Sequence, residues 1–183
     1  MPKISIIAAI AKNGVIGKNN VMPWNVPQEM ALFRQLTEGK PVIIGRRTFD
    51  GLPNALENRF LVVLTRKNRI SPASNVQIAS SIPDALEAAN EEMSKRNTRS
   101  ISGSAGINDD QHEIMVAGGE NVYQQFLPLA DRLYLSHMHD AYEGDAFFPR
   151  VSRKDWQPTA TTHFDTFSFI TYDRVYAREN QAA

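Results

Sequence analysis

Pro41-Val42-Ile43-Ile44-Gly45-Arg46-Arg47-Thr48 holds an unbroken apolar run, then a glycine, two arginines and a hydroxyl. Apolar residues at every position suit a strand covered on both faces, because successive side chains point to opposite sides. Similar runs recur at 6–11, 61–64 and 114–117, and Leu133-Tyr134-Leu135 adds a fifth. Helical patterns lie between them. Residues 27–37 open with proline in the first turn. Ser81-Ile82-Pro83-Asp84 resembles a capping box, and Ala85, Leu86, Ala89 and Met93 continue it as an apolar stripe. Residues 119–127 stop before Pro128. Strands alternating with helices predict an α/β fold with a largely parallel sheet and right-handed crossovers. Thr166-Phe167-Ser168-Phe169 alternates with period two and has no helix after it, so it predicts an antiparallel strand completing a mixed sheet.

The chain has 183 residues, which suits one domain spanning 1–183. Twenty Lys and Arg balance 20 Asp and Glu, so no bulk charge draws the protein to nucleic acid or an acidic membrane. With no cysteine, disulfides, thiolate nucleophiles and iron–sulfur clusters are excluded. The first residues lack the layout of a signal peptide, and the longest apolar run is too short for a bilayer. The expectation is a soluble, cytoplasmic protein. Residues 94–111, rich in Ser, Asn, Asp, Arg and Gly, read as a polar loop insertion on the surface.

Four constellations carry possible chemistry. Glu29 shares a helical face with Leu32, Phe33 and Leu36, which sets a carboxylate on the stripe that should meet the core. Either it serves the helix N-terminus, or it waits for a hydrogen-bonding ligand. The strand ends Gly45-Arg46-Arg47-Thr48 and Leu64-Thr65-Arg66 offer hydroxyls and guanidiniums to an anion, at the strand ends where α/β sheets bind ligands. Gly118-Gly119 closes another strand before a helix, without the GxGxxG dinucleotide fingerprint. His137 and His139 share a strand face, and ordinary strand histidines are the favoured reading over a metal site.

Taken together, these residues resemble the dihydrofolate reductase family. Ile7-Ala8-Ala9, Gly14-Val15-Ile16-Gly17 and Met22-Pro23-Trp24-Asn25 match its first strand and mobile loop. Pro27, Glu29, Phe33 and the stretch 40–49 follow in order. Val116-Ala117-Gly118-Gly119, Val122-Tyr123, Glu143-Gly144-Asp145 and Phe148-Pro149 complete the match. The resemblance implies a mostly parallel eight-stranded mixed sheet flanked by helices. It also implies NADPH-dependent reduction of 7,8-dihydrofolate, with antifolates as further ligands and a monomeric enzyme.

On this resemblance Glu29 is the active-site acid that pairs with the pterin, and Ser136 hydrogen-bonds it. Ile7, Phe33, Leu52 and Leu56 wall the substrate, and Arg59 takes the α-carboxylate of its glutamate tail. Met22 and Trp24 belong to the closing loop, with Met22 controlling water access, and Asp145 anchors that loop. Arg46, Arg47, Thr48, Thr65 and Arg66, with Gly45 and Leu64, surround the cofactor phosphates. Ala9, Ile16, Ala117, Gly118, Gly119, Glu120, Asn121, Val122 and Tyr123 complete the cofactor set, with a cis peptide at Gly118-Gly119. Hydride passes to pterin C6, and a water supplies the proton at N5.

Three features depart from the family pattern. The acid is Glu where bacterial members commonly have Asp. Ala117 stands where a larger aliphatic residue is common, which should widen the pocket and weaken compact diaminopyrimidine antifolates. The 94–111 insertion is the third. Two other functions fit parts of the sequence: a riboflavin-pathway pyrimidine reductase, or a non-catalytic folate- or nucleotide-binding protein. The Trp24 loop, Phe33 and Arg59 speak against the first, and the retained acid and glycine pair against the second.

Overall fold

The structure, a computed structural model, describes residues 1–52, 56–67, 74–100 and 112–176. The strands are β1 (Lys3–Ile10), β2 (Val15–Gly17), β3 (Pro41–Gly45), β4 (Phe60–Leu64), β5 (Val76–Ala79), β6 (Glu113–Val116), β7 (Arg132–Met138), β8 (Ala146–Phe147), β9 (Trp156–His163) and β10 (Phe167–Arg174). The helices are α1 (Pro27–Thr37), α2 (Arg46–Asp50), α3 (Ile82–Ser100) and α4 (Glu120–Phe126).

Eight strands form one sheet in the order β5-β4-β3-β6-β1-β7-β10-β9. The first six run parallel, and β10 pairs antiparallel with both β7 and β9. The continuous apolar runs are the parallel strands, and they are buried on both faces: Val42, Ile43, Leu61, Val62, Ile114 and Val116 are fully enclosed. Ala85, Ala89 and Met93 of α3, with Val122 and Phe126 of α4, cover one face. Phe33 and Leu36 of α1 and Phe49 of α2 lie against the other. Parallel strands bring all their carboxyl ends to one edge, where β3 turns into α2 and β6 into α4.

Two expectations need correction. Helix α3 continues to Ser100, so residues 94–100 of the expected loop are helical. The reason is local: Glu91–Lys95 and Glu92–Arg96 stand one turn apart as ion pairs, and neither Gly nor Pro interrupts the helix before Gly103. Residues 101–111 lie outside the described residues. His139 also falls one residue beyond β7 rather than on it. Among the described residues, no helix is long and apolar enough to cross a membrane.

Candidate active site

A groove of about 1400 Å³ opens along the carboxyl ends of the parallel strands. It is lined by Ala9 and Ile16, by 45–48, by 64–66 and by 117–123, which is the whole set the sequence assigned to a cofactor. The strand ends meet closely here. Gly45 N–H donates to the Gly118 carbonyl at 2.7 Å, and the Gly118-Gly119 peptide is cis. A methyl at Gly119 would sit 3.1 Å from Thr48 Oγ1, so glycine keeps backbone exposed to the groove. Arg46, Arg47, Arg66 and Lys67 give one stretch of the wall a positive character, with Arg47, Arg66 and Lys67 exposed.

Helix α1 presents the acid. Its only buried residues are Glu29 and Thr37, both polar, while Leu32, Phe33 and Leu36 remain half-buried. The apolar stripe is therefore not closed by the sheet. No side chain caps the helix, and Glu29 is directed inward. Burial pushes its carboxyl above the usual carboxylate range, and a hydrogen bond from Ser136 on β7 pulls partly the other way. Nearby, the buried Tyr123 hydroxyl donates to the Ile7 carbonyl at 2.8 Å. Burial, then the Glu29 charge, push that hydroxyl far upward, so it stays protonated. Ile7, Phe33, Leu52, Leu56 and Ala117 meet in one apolar cluster beside the acid's helix.

Arg59 is buried just before β4. Its Nε donates to Thr37 Oγ1 at 2.7 Å, and its terminal nitrogens donate to the carbonyls of Glu57 and Arg34. A guanidinium has five N–H groups, so two donors remain for a planar acceptor. Burial lowers its pKa, Glu38 opposes that, and the neighbouring Arg34 adds to it.

The loop after β1 folds back over the groove. Asp145 accepts the Asn19 N–H at 3.0 Å and donates its own N–H to the Gly17 carbonyl at 3.0 Å. Lys18 pairs with Glu143 at 2.8 Å, and β2 pairs with β8. Met22 is exposed and lines the groove. Trp24 is buried against Tyr142, with ring centroids 5.1 Å apart, and its Nε1–H has no partner among the described residues.

Sequence reasoning missed Lys67, Ser80, Ser81 and Gln125, which also line the groove. The pattern of a strand followed by hydroxyls, used for β3 and β4, holds for β5 and Ser80-Ser81 as well. Val76–Ala79 was too short to stand out as a strand. His137 does not reach the groove: its Nε2 contacts Tyr172 OH at 3.0 Å, and burial lowers its pKa.

The family model for dihydrofolate reductase matches residues 3–177. Dihydrofolate reductase from Haemophilus influenzae is 36% identical over 153 residues, covering 84% of this chain and 82% of its own. That from Neisseria gonorrhoeae is 37% identical over 163 residues, covering 88% of each. Dihydrofolate reductase type A13 of Escherichia coli is 34% identical over 179 residues, covering 97% and 96%. Among solved structures, dihydrofolate reductase from Enterococcus faecalis, in complex with NADP(H) and the compound RAB-propyl, superposes with a TM-score of 0.76 at 27% identity. It covers 94% of this chain and 96% of that one. These matches do not favour a pyrimidine reductase. With its fold, its groove and these relatives in agreement, the chain belongs to the dihydrofolate reductase family.

Proposed function

We propose that this site reduces 7,8-dihydrofolate to 5,6,7,8-tetrahydrofolate with NADPH, for one-carbon metabolism. The observation that carries the reading is Glu29, a buried acid with no paired cation among the described residues, set beside an apolar cluster that is half open. An acid so placed needs hydrogen-bond donors, and the pterin 2-amino group and N3 offer two in a plane. Ser136 holds the carboxylate in position. Ile7, Phe33, Leu52 and Leu56 enclose the substrate's ring systems, and Arg59 offers its two remaining donors to the tail carboxylate.

The residues present fit NADPH. The groove is long, its glycines allow close backbone approach, and four cations border it where an extra phosphate needs partners. When bound, NADPH supplies the hydride. Arg46, Arg47, Thr48, Thr65 and Arg66 hold its phosphates, and Ala9, Ile16, Tyr123 and the Ala117–Gly119 turn hold its ring end. Met22 and Trp24 exclude bulk water while leaving one water to protonate pterin N5. The unpaired Trp24 N–H is a donor that can orient such a water. The family resemblance completes the reading with a monomer of one domain, working in the cytoplasm.

Two substitutions test the assignments. Arg66→Ala removes a charge-assisted contact of about 1.5–3 kcal/mol, so the KM for NADPH rises roughly tenfold or more while that for NADH stays nearly constant. Equal losses for both cofactors would mean that Arg66 does not meet the extra phosphate that NADPH alone carries. Ala117→Ile fills space beside the pterin, and inhibition assays should then show tighter binding of compact diaminopyrimidines. Unchanged or weaker inhibition contradicts the assigned position of Ala117.

A further inference from the structure

At the antiparallel end of the sheet, two imidazoles converge on one hydroxyl. His163 ends β9 and stands opposite Ser168 of β10, and His139 follows β7. Ser168 Oγ lies 2.9 Å from His163 Nδ1 and 3.2 Å from His139 Nε2. Both histidines are exposed, and Ser168 is half-buried. The other nitrogen of His139, Nδ1, lies 3.1 Å from the Asp165 carbonyl. A carbonyl only accepts, so Nδ1 carries the ring proton and the neutral ring presents the Nε2 lone pair towards the Ser168 hydroxyl. An outer nitrogen held by a backbone carbonyl is how proteins orient imidazole for a metal. Ser168 has one hydrogen for two ring nitrogens, so one of them must itself donate to the hydroxyl oxygen. With His163 protonated at Nδ1 the chain His163 N–H to Ser168 O–H to His139 Nε2 is satisfied; with its proton on Nε2 instead, His163 turns the Nδ1 lone pair inward and both rings offer a ligand nitrogen to an ion.

We propose that His139 Nε2 and His163 Nδ1 form a surface site for a divalent transition-metal ion, with the Ser168 oxygen and water completing its coordination. No third His, Cys, Asp or Glu joins them among the described residues, so the site is open and selects by ligand type. Imidazole favours Cu²⁺, Ni²⁺ and Zn²⁺, with Cu²⁺ held most tightly, whereas Mg²⁺ and Ca²⁺ require oxygen ligands. Metal–nitrogen bonds of about 2.0–2.1 Å draw the rings together, and exposed side chains have the freedom to move. The ion then ties the end of β7 to the β9–β10 turn, which stabilises the fold by mass action. His137 takes no part, being held by Tyr172.

The test is a Cu²⁺ titration of the full chain with NADPH bound, in a non-chelating buffer, by calorimetry and electron paramagnetic resonance. The expected result is one ion per chain with two nitrogen ligands. His139→Asn and His163→Asn each weaken binding by about 10–100-fold or more, since losing a ligand costs at least as much as losing its outer partner. His137→Asn retains binding, and Mg²⁺ produces no heat. Zn²⁺ raises the thermal midpoint of the parent but not of the His139→Asn/His163→Asn double variant, which also reports that the variant folds. A double variant that binds Cu²⁺ as tightly as the parent, a signal with one nitrogen, or an equal Zn²⁺ shift in both proteins overturns the proposal.

Discussion

Glu29→Gln is expected to lose about 10²–10⁴-fold in dihydrofolate turnover at neutral pH, the usual range when a positioned acid–base group is removed. The amide keeps the shape of the side chain but cannot pair as an anion with the pterin. Because burial raises the Glu29 pKa, the turnover–pH curve of the parent should titrate above the ordinary carboxylate range, and the variant should lack that step. Ser136→Ala removes the interaction that lowers this pKa, so the step moves further upward.

Stability moves the other way. The unfolded chain ionises Glu29 at the ordinary carboxylate pKa, while the folded chain holds the proton to higher pH. Between those two values the folded state binds more protons, so stability falls as pH rises through the window and remains lower above it. Glu29→Gln escapes that loss and should gain about 0.5–2 kcal/mol at neutral pH, read by urea denaturation. Loss of activity together with loss of stability would indicate a structural acid instead.

The second large effect is expected at Gly144. A Cβ there would lie 2.2 Å from Val15 Cγ1 and 2.5 Å from the Gly17 carbonyl oxygen. Both belong to β2, so Gly144→Val forces the β2–β8 pair apart and displaces the loop that carries Ile16 and Met22. A misplacement of about 1 Å near reacting groups costs roughly 10²-fold, and single-turnover hydride transfer should slow by that order. The main sheet does not include β2 or β8, so the thermal midpoint should change little. An unchanged transfer rate would mean that loop position does not govern the reaction.

These contrasts show which parts of the molecule local sequence specifies. Strands β1, β3, β4 and β6 were legible because burial on both faces requires an unbroken apolar run. Strand β9 was not. In Trp156–His163 only Trp156 is buried, and the edge strand is held by backbone pairing to β10. Glu29 was legible because helical spacing set an acid among apolar residues, although spacing alone left its role open. Family resemblance supplied that role. The Arg59–Thr37, Arg59–Arg34, Lys18–Glu143 and Asp145–Asn19 contacts join residues distant in sequence, so no local pattern announces them. Residues 94–100 misled because polar composition was read as loop, whereas ion pairs one turn apart sustain the helix.

The central claim is that one site brings NADPH and dihydrofolate together beside Glu29. Its most direct test follows NADPH oxidation by the purified chain with and without dihydrofolate, beside Glu29→Gln. Oxidation that requires dihydrofolate and collapses in the variant is the predicted result. Tight NADPH binding without dihydrofolate-dependent oxidation, or full turnover in the variant, would contradict it.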